Sequence, residues 1–326
     1  MNSTIPLSTL YALIIDPGAI VAISSDGSSS RVLLETEKAP DGIYVDPASS
    51  TIYFSTMGKW GPDFYAADGT IESCKLDGTD RRLLVGNGET VTPKQLVLDR
   101  EDGYLYWCDR EGMRVMRCRL DGTDVKTLIR AGAPGQQEDA TRHCVGLAID
   151  KPNNHLYWTQ KGPEDAGRGR IFRAALTPPA GVLPEDRTDI ELLFDNLPEP
   201  IDLEIDPEES LLYWTDRGAA PDGNSLNRAR ITPAGCTDHE VIYRGLHEGI
   251  GLSLDLASRR AFVTDLGGTV RSIDLDGEHA SKQIWHGGPL TGIQFVSVEE
   301  NPGITLRNAT AISNSQLNPS LSLCEA

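Results

Sequence analysis

Two acidic residues inside an otherwise apolar segment are the strongest indication of chemistry in this chain. Asp202 and Glu204 belong to the segment Ile-Asp-Leu-Glu-Ile, residues 201–205. A carboxyl group so close to a hydrophobic core must find a partner or change its pKa. The pair could therefore act as an acid or a base. The alternative is that both carboxyls only bond to water or to backbone groups.

Three further residues have side chains that suit proton transfer or charge stabilisation. His143 and His247 titrate near neutral pH, which favours general acid–base roles. Lys94 could stabilise a developing oxyanion. The predicted catalytic set is therefore Asp202, Glu204, His143, His247 and Lys94.

A second group of residues is expected to shape a pocket for a small molecule. Trp60, Phe64 and Tyr65 fall in one long loop and could form its roof, as in a concave, partly apolar site. Each of them could instead be a solvated loop side chain. The complete predicted substrate-binding set is Asp41, Tyr44, Trp60, Phe64, Tyr65, Gln95, Glu248, Thr291 and Gln294. Glu248 could also serve as an acid or base.

These residues are distributed over a sequence repeat. One tetrapeptide recurs five times, beginning at positions 53, 106, 157, 213 and 262, as YFST, YWCD, YWTQ, YWTD and FVTD. Each copy follows an apolar segment that ends in Asp, at positions 46, 99, 150, 206 and 255, so the spacing is seven residues every time. A repeat of about 50 residues with short strands indicates propeller blades.

The repeat predicts the fold. Each unit contains four antiparallel strands, and several third strands end in Asp-Gly, which suits the positive φ angles of hairpin turns. Fragments at the two ends supply a sixth unit, with residues 291–296 as its first strand and N-terminal segments as the other three. We therefore predict an all-β, six-bladed β-propeller over residues 10–296. An N-terminal segment (1–9) and a polar C-terminal tail (297–326) flank it.

The innermost strands have a two-sided pattern. Counting back from the final Asp, alternate positions are large and apolar in all six strands, as expected for a wedge between blades. Between these lie glycines and polar residues that should face a central channel. The apolar set is Val45, Ile43, Leu98, Leu96, Ile149, Leu147, Ile205, Leu203, Leu254, Leu252, Phe295 and Ile293.

The long connections are expected on one face of the ring. Residues 57–68, 161–169 and 217–225 join second to third strands, and residues 86–92 and 130–142 join blades. Both kinds of connection emerge where the innermost strands begin, so we predict the pocket at that loop-rich mouth. The insertion at residues 177–188 should lie on the opposite face. The residues expected around the mouth are Asp41, Lys94, Arg142, His143, Glu199, His247, Glu248 and Thr291.

The fixed tetrapeptides resemble the YWTD repeats of the low-density-lipoprotein-receptor family over residues 10–296. That resemblance implies a six-bladed propeller and a protein-binding role. The elaborated loops are also similar to those of an intracellular fungal group of biosynthetic propellers that performs hetero-Diels–Alder cyclisations. Calcium lactonases share the six-bladed architecture, and here Asp41, Asp202 and Glu204 would have to be the ligands.

Composition narrows the classes of partner. A formal net charge of −18 argues against binding to nucleic acid and to anionic membranes. No apolar run approaches the roughly 20 residues that a membrane-spanning helix needs. The N-terminus has no secretory leader, so we expect a cytoplasmic protein, or a secreted one if a leader has been removed. The six cysteines fit no zinc or disulfide spacing and are expected to be buried free thiols.

These observations favour a small-molecule enzyme of specialised metabolism acting on an apolar substrate, with a cyclisation or cycloaddition as the candidate reaction. No cofactor and no metal is predicted. A receptor-type protein-binding module is the first alternative, and a metal-dependent lactonase or hydrolase is the second. The sequence leaves the substrate and the oligomeric state open.

Overall fold

The fold is known from a computed structural model, which describes residues 8–59 and 65–297. Six four-stranded antiparallel sheets surround a central channel, which confirms the predicted six-bladed propeller. We number the blades from the first complete repeat. The only helical segment among the described residues is a 3₁₀ turn, Ala140–Arg142.

The strand bounds follow the repeat. Blade 6 contains β1 (Thr9–Ile14), β2 (Ala19–Ser24), β3 (Ser30–Glu35) and β24 (Leu290–Val296). Blade 1 contains β4 (Pro40–Asp46), β5 (Thr51–Thr56), β6 (Thr70–Lys75) and β7 (Arg82–Val85). Blade 2 contains β8 (Pro93–Asp99), β9 (Tyr104–Asp109), β10 (Arg114–Arg119) and β11 (Lys126–Arg130). Blade 3 contains β12 (Cys144–Asp150), β13 (His155–Gln160), β14 (Gly169–Ala175) and β15 (Glu191–Leu197). Blade 4 contains β16 (Pro200–Asp206), β17 (Leu211–Asp216), β18 (Ser225–Thr232) and β19 (Gly235–Arg244). Blade 5 contains β20 (Gly249–Asp255), β21 (Arg260–Asp265), β22 (Thr269–Asp274) and β23 (Ser281–His286).

The two ends of the chain close the ring within blade 6. Strand β24 is the innermost strand and pairs antiparallel with β1, with Leu10 opposite Phe295 and Tyr11 opposite Gln294. The sheet order β24-β1-β2-β3 matches the predicted closure by one C-terminal and three N-terminal strands. The pairing of β24 with β1 therefore satisfies an edge of each strand that would otherwise be unpaired where the two ends of the chain meet.

The third residue of the tetrapeptide joins each blade to the next. In blade 4, Thr215 Oγ1 donates to the carbonyl of Ile250 at 2.6 Å and accepts from the amide of Asp202 at 3.2 Å. Each innermost strand of blades 1 to 5 has a register shift near its start, so its third residue cannot pair within the ladder. The hydroxyl supplies the missing partner. Ser55, Thr159 and Thr264 occupy the same position and repeat the bond to the next blade.

The Asp that ends each innermost strand fixes the turn after it. Asp206 accepts from the backbone amides of Glu208 and Glu209, and Asp46 accepts from that of Ala48. Asp206 also binds Arg259 of blade 5 at 2.7 Å, which links neighbouring blades on this face. The repeated Asp is thus a structural residue, and the face that carries these hairpin turns is called the hairpin face below.

The wedge residues pack as predicted near the loop-rich end and less tightly near the hairpin face. Eight of the twelve are buried, and each packs in a hydrophobic cluster with strands of adjacent blades. The other four retain partial exposure and all lie one residue before the end of their strand. They are Ile149, Ile205, Leu254 and Phe295.

The insertion at residues 177–188 begins at the hairpin face, on the predicted side, where the amide of Thr177 donates to Asn154 Oδ1 at 3.0 Å. It follows the outer edge of blade 2, where the amide of Arg130 donates to the carbonyl of Pro184 at 3.2 Å. Arg187 is buried beside it and donates to the carbonyl of Ala175 at 2.7 Å. An uncovered outermost strand exposes unpaired backbone groups, and this insertion satisfies those of β11. The insertion therefore extends from the hairpin face along the outermost strand of blade 2.

The cysteines of the described segments form no disulfide. Cys74, Cys108, Cys118 and Cys144 are buried, and Cys236 is half-buried. Cys74 and Cys118 occupy equivalent positions, opposite Ile52 and Leu105 of their blades. Within residues 8–59 and 65–297, no helix is long and apolar enough to cross a membrane.

Candidate functional site

The innermost strands of neighbouring blades approach each other closely at their third residue. Four blades have glycine there, and an added Cβ at Gly146 would lie 1.9 Å from the carbonyl oxygen of Ile201 in the next blade. Such a distance excludes any side chain. The two remaining positions carry Gln95 and Asp202, which therefore extend into space that the glycines leave open.

Gln95 crosses the channel and binds two other blades. Its Oε1 accepts from the amides of Leu147 at 2.7 Å and Leu203 at 3.0 Å, and its Nε2 donates to the carbonyl of Leu203 at 2.9 Å. Backbone groups thus form hydrogen bonds with every polar group of the Gln95 side-chain amide except one N–H. Predicted as a substrate-binding residue, Gln95 lines the cavity but serves first to hold the strand that carries Asp202 and Glu204.

A buried ion pair lies beside Asp202. Lys94 Nζ donates to Asp41 at 2.8 Å, with side-chain exposures of 9% and 4%. Burial lowers the pKa of Lys94, and the charge of Asp41 opposes that shift. Burial likewise raises the pKa of Asp202 well above its usual range, and the charge of Asp41 raises it further. The structure thus brings three of the predicted site residues together.

Below this ion pair, toward the hairpin face, the channel widens into a cavity of about 220 Å³. Glu204 lines it, and burial raises the pKa of this carboxyl from 4.5 to about 8. Desolvation is the cause of that shift, and it favours the protonated form of the partly exposed Glu204, which can donate a hydrogen bond. The other lining residues used below are Tyr44, Gln95, Val97, Ala148, Asp202 and Gln294.

The described cavity opens on the face opposite to the predicted one. The second residues of the innermost strands are all buried, and Val145, Ile201 and Ile250 pack together with Leu266 at the loop-rich end. Along the innermost strands, partly exposed side chains appear only at the fifth residue or later, toward the hairpin face. Tyr44 and Glu204 are two of them. The apolar side chains of Val145, Ile201 and Ile250 in three blades, and the Lys94–Asp41 ion pair in two others, therefore close the loop-rich end of the channel. This is the end at which the pocket was predicted.

The remaining predicted residues do not form one site. His143 is buried, and its Nε2 donates to the carbonyl of Gln137 at 2.7 Å, while burial lowers its pKa. His247 is exposed on the loop-rich face. Thr291 is part of the wall: its Oγ1 donates to the carbonyl of Pro40 at 2.9 Å and links blade 6 to blade 1.

Two aromatic residues of the predicted roof, Trp60 and Phe64, lie outside the described residues. Tyr65, the third, has an exposed fraction of 48%. Glu248 is half-buried and lies 3.5 Å from Arg217. Tyr44 and Gln294 line the channel cavity, to which the alternation of the innermost strands assigned the polar residues.

A belt of charged residues on the loop-rich face was not predicted. Buried Glu199 binds Lys161 at 2.7 Å and Arg217 at 3.4 Å, and Arg110 binds buried Glu111 at 2.5 Å. Arg110, Lys161 and Arg217 each follow the tetrapeptide directly, in three successive blades. That shared position is the feature of the sequence that could have revealed the belt. Blades 1 and 5 have Met57 and Leu266 there.

The last residue of the tetrapeptide supports this belt. Asp216 accepts from the amides of Glu199 at 2.7 Å and Gly218 at 3.2 Å, and burial raises its pKa to about 7. Asp109 accepts in the same way from the amide of Thr92 at 2.8 Å. These bonds are structural, because they satisfy backbone amides at the start of the innermost strands. Among the described residues, no group of three or more His, Cys, Asp and Glu side chains could hold a metal ion.

Comparison with known proteins agrees with this architecture. The chain is 40% identical over 315 residues to the low-density lipoprotein receptor-related protein 1 of Pyricularia oryzae, and the match covers 90% of this chain and 100% of that protein. A nidogen/laminin complex contains a chain of similar fold, with a TM-score of 0.68, 19% identity, and coverage of 88% of this chain and 98% of that one. No protein-family profile matches the chain.

The repeats, the six blades and these similarities define a YWTD-type β-propeller. The chain belongs to the YWTD six-bladed propeller family that includes the low-density lipoprotein receptor-related proteins. A second relative, the 3-hydroxyacyl-CoA dehydrogenase-like protein LAM1 of Cochliobolus heterostrophus, is 39% identical over 272 residues. That match covers 80% of this chain and 56% of LAM1, so the chain spans little more than half of that relative.

Proposed function

We propose that this protein is a small-molecule enzyme that holds an apolar, carbonyl-containing substrate in the channel and activates it by a hydrogen bond from Glu204. One observation carries the proposal: a carboxyl whose pKa burial raises to about 8 lines a cavity that combines polar groups with apolar side chains such as Val97 and Ala148. An acid whose pKa is near the working pH is well suited to donate a hydrogen bond or a proton. Asp202, whose pKa burial also raises, is a second donor in the same cavity.

The proposed reaction class is a cyclisation or cycloaddition, including the hetero-Diels–Alder type. In a cycloaddition two σ bonds form at the expense of two π bonds and no atom leaves. The protein then has to orient the reacting ends and withdraw electron density from a carbonyl oxygen. The rigid walls of the channel orient the reacting ends, and hydrogen bonds from protonated Glu204 and Asp202 withdraw electron density, so that no ionised base is required.

The size of the cavity limits how the substrate enters. About 220 Å³ is below the range of roughly 300–1,000 Å³ typical of sites for drug-sized ligands. We therefore propose that the carbonyl end of the substrate enters the channel from the hairpin face and that the rest stays at the opening. Tyr44 and Gln294, near that opening, would contact the part that remains outside.

We also propose that the protein works in a reducing compartment of the cell. The five described cysteines are all free, and free thiols persist where disulfides are reduced, as in the cytoplasm. The name of the LAM1 relative, which refers to a dehydrogenase-like protein, is compatible with metabolism but says nothing about this reaction.

Protein binding is a second candidate, favoured by the charged belt on the loop-rich face. Exposed His247 and the partly exposed charges of Arg217 and Glu248 could meet a partner of complementary charge. Family membership supports the same role. The metal-dependent lactonase or hydrolase stays a further alternative, for which the described residues contain no group of three or more His, Cys, Asp and Glu side chains as a ready metal site.

Binding of a small aromatic ketone tests the enzyme proposal without knowledge of the substrate. We expect acetophenone to bind the wild-type protein in calorimetry and to appear in the channel after soaking of crystals. Glu204→Ala should weaken acetophenone binding by about tenfold, because a hydrogen bond to a neutral acid is lost.

Ethylbenzene, which has the same shape without the carbonyl, is the matched control ligand. Its affinity should not fall in Glu204→Ala, because it accepts no hydrogen bond. Equal losses for both ligands, or ketone bound only outside the channel, would refute the role of Glu204.

A further inference from the structure

A second, smaller cavity of about 160 Å³ lies at the edge of blade 3, away from the channel. It is lined by Thr141, Arg168, Arg170, Asp195 and Asn196. These residues come from the 3₁₀ turn, the start of β14 and the end of β15, which meet on the loop-rich face. Nothing in the proposed function uses this cavity.

Its two arginines have no carboxylate partner. Arg168 is exposed and forms no salt bridge with any described residue, and the nearby Arg142–Asp139 pair, at 3.0 Å, leaves it free. Arg170 donates only to uncharged oxygens, those of the Thr141 carbonyl and the Gln160 side chain. The second of these bonds is 2.6 Å long.

Arg170 is also held in place. Its Nε is buried without a hydrogen-bond partner among the described atoms, and its guanidinium lies 5.2 Å from the centre of the Phe172 ring. Burial lowers the pKa of Arg170, the charges of Arg142 and Arg168 lower it further, and the charge of Asp139 opposes the shift. Three arginines, Arg142, Arg168 and Arg170, thus face two carboxylates, Asp139 and Asp195, in a chain whose net charge is −18.

We propose that Arg168 and Arg170 form a binding site for a phosphate group. Guanidinium groups bind phosphate oxygens in pairs of parallel hydrogen bonds, and neither Arg168 nor Arg170 has a carboxylate in salt-bridge contact that would compete with the phosphate. The volume is equivalent to about five water molecules at roughly 30 Å³ each, enough for a phosphate group and its first attached atoms. Asn196 offers an uncharged donor, and Asp195 is a repulsive neighbour that limits affinity.

Titration with inorganic phosphate at low ionic strength tests the site. We expect a Kd on the order of 1 mM for the wild-type protein, and a loss of about tenfold in Arg168→Gln. Arg168 is exposed and unpaired, so this change should leave the thermal unfolding temperature unaltered. Asp195→Asn should strengthen binding about threefold because it removes the repulsive charge, a gain that a structural role would not give.

Arg230→Gln is the matched control, since Arg230 is exposed on blade 4 and its loss changes the net charge equally. It should bind phosphate as the wild type does. The proposal is overturned if phosphate does not bind, if both arginine variants weaken binding equally, or if acetate at equal ionic strength binds as tightly as phosphate. Because the ketone experiment concerns the channel, the two proposals can fail independently.

Discussion

Gln95 and Leu203 are joined across the central channel by two hydrogen bonds, although their strands belong to blades 2 and 4. The amide of Leu203 donates to Gln95 Oε1 at 3.0 Å, and Gln95 Nε2 donates to the carbonyl of Leu203 at 2.9 Å. The third bond, from Leu147, ties blade 3 to the same side chain. One side chain thus fixes three inner strands, including the one that carries the two acids.

Replacing Gln95 with alanine should destabilise the ring. The change removes three hydrogen bonds and leaves two buried backbone amides without partners, at a cost of about 2–4 kcal/mol. Chemical denaturation measures the loss. The matched control is Gln283→Ala on the exposed outer strand β23, which should cost less than about 0.5 kcal/mol. Similar losses in the two variants would contradict the bridging role.

Replacing Lys94 with methionine should be costly because it leaves Asp41 as an unpaired buried charge. We expect a loss of about 3–5 kcal/mol. The double variant Lys94→Met/Asp41→Leu should recover most of it, since neither position then leaves an unpaired buried charge. The exposed Arg82–Asp80 pair is the control, and Arg82→Ala should cost at most about 1 kcal/mol. Failure of the double variant to recover stability would count against this account.

Replacing Thr215 with valine tests the bond between blades 4 and 5. Valine keeps the shape but loses the bond to Ile250 and the acceptor for the amide of Asp202, at about 1–3 kcal/mol. Thr237→Val on the exposed strand β19 should change stability by less than about 0.5 kcal/mol. Thermal unfolding of the two variants compares them directly, and a smaller effect at Thr215 than at Thr237 would be inconsistent with this role.

The dependence of stability on pH should reveal Glu204. Burial raises its pKa in the folded state from 4.5 to about 8, so between these values the unfolded state releases a proton that the folded state keeps. Stability from this residue is therefore complete below about pH 4.5 and is lost as the pH rises toward 8.

Glu204→Gln removes that titration, because glutamine stays neutral at every pH. Relative to the wild type, it should gain about 2–4 kcal/mol between about pH 5 and about pH 9, somewhat less than the full shift because water in the channel screens the charge. Denaturation at both pH values gives the gain. A stability difference that does not change with pH would mean that Glu204 titrates normally.

The fold was predictable because each blade is specified by a short sequence pattern that recurs along the chain. The seven-residue spacing from Asp46 to Tyr53 recurs in every complete blade, since the same hairpin turn and the same bond to the next blade are needed each time. The closure of blade 6 followed from counting strands. Asp202 and Glu204 were also identifiable, because acids in an apolar inner strand interrupt a strong pattern.

The position of the cavity was not predictable from the same pattern. Whether the channel is closed at one end depends on how Val145, Ile201 and Ile250 meet across the ring, and no single strand contains that information. Thr291 looked like a mouth residue but replaces the missing tetrapeptide hydroxyl of blade 6. The site at Arg168 and Arg170 combines three elements that the sequence separates.

The most direct test of the central claim is a carboxyl ¹³C NMR titration of Glu204, assigned by comparison with the Glu204→Gln variant. The account predicts a resonance that titrates with an apparent pKa near 8, so that the group remains a neutral acid at neutral pH. A resonance that titrates near the ordinary value of a solvated glutamate would show an ionised carboxylate in the channel and would contradict the proposed mechanism.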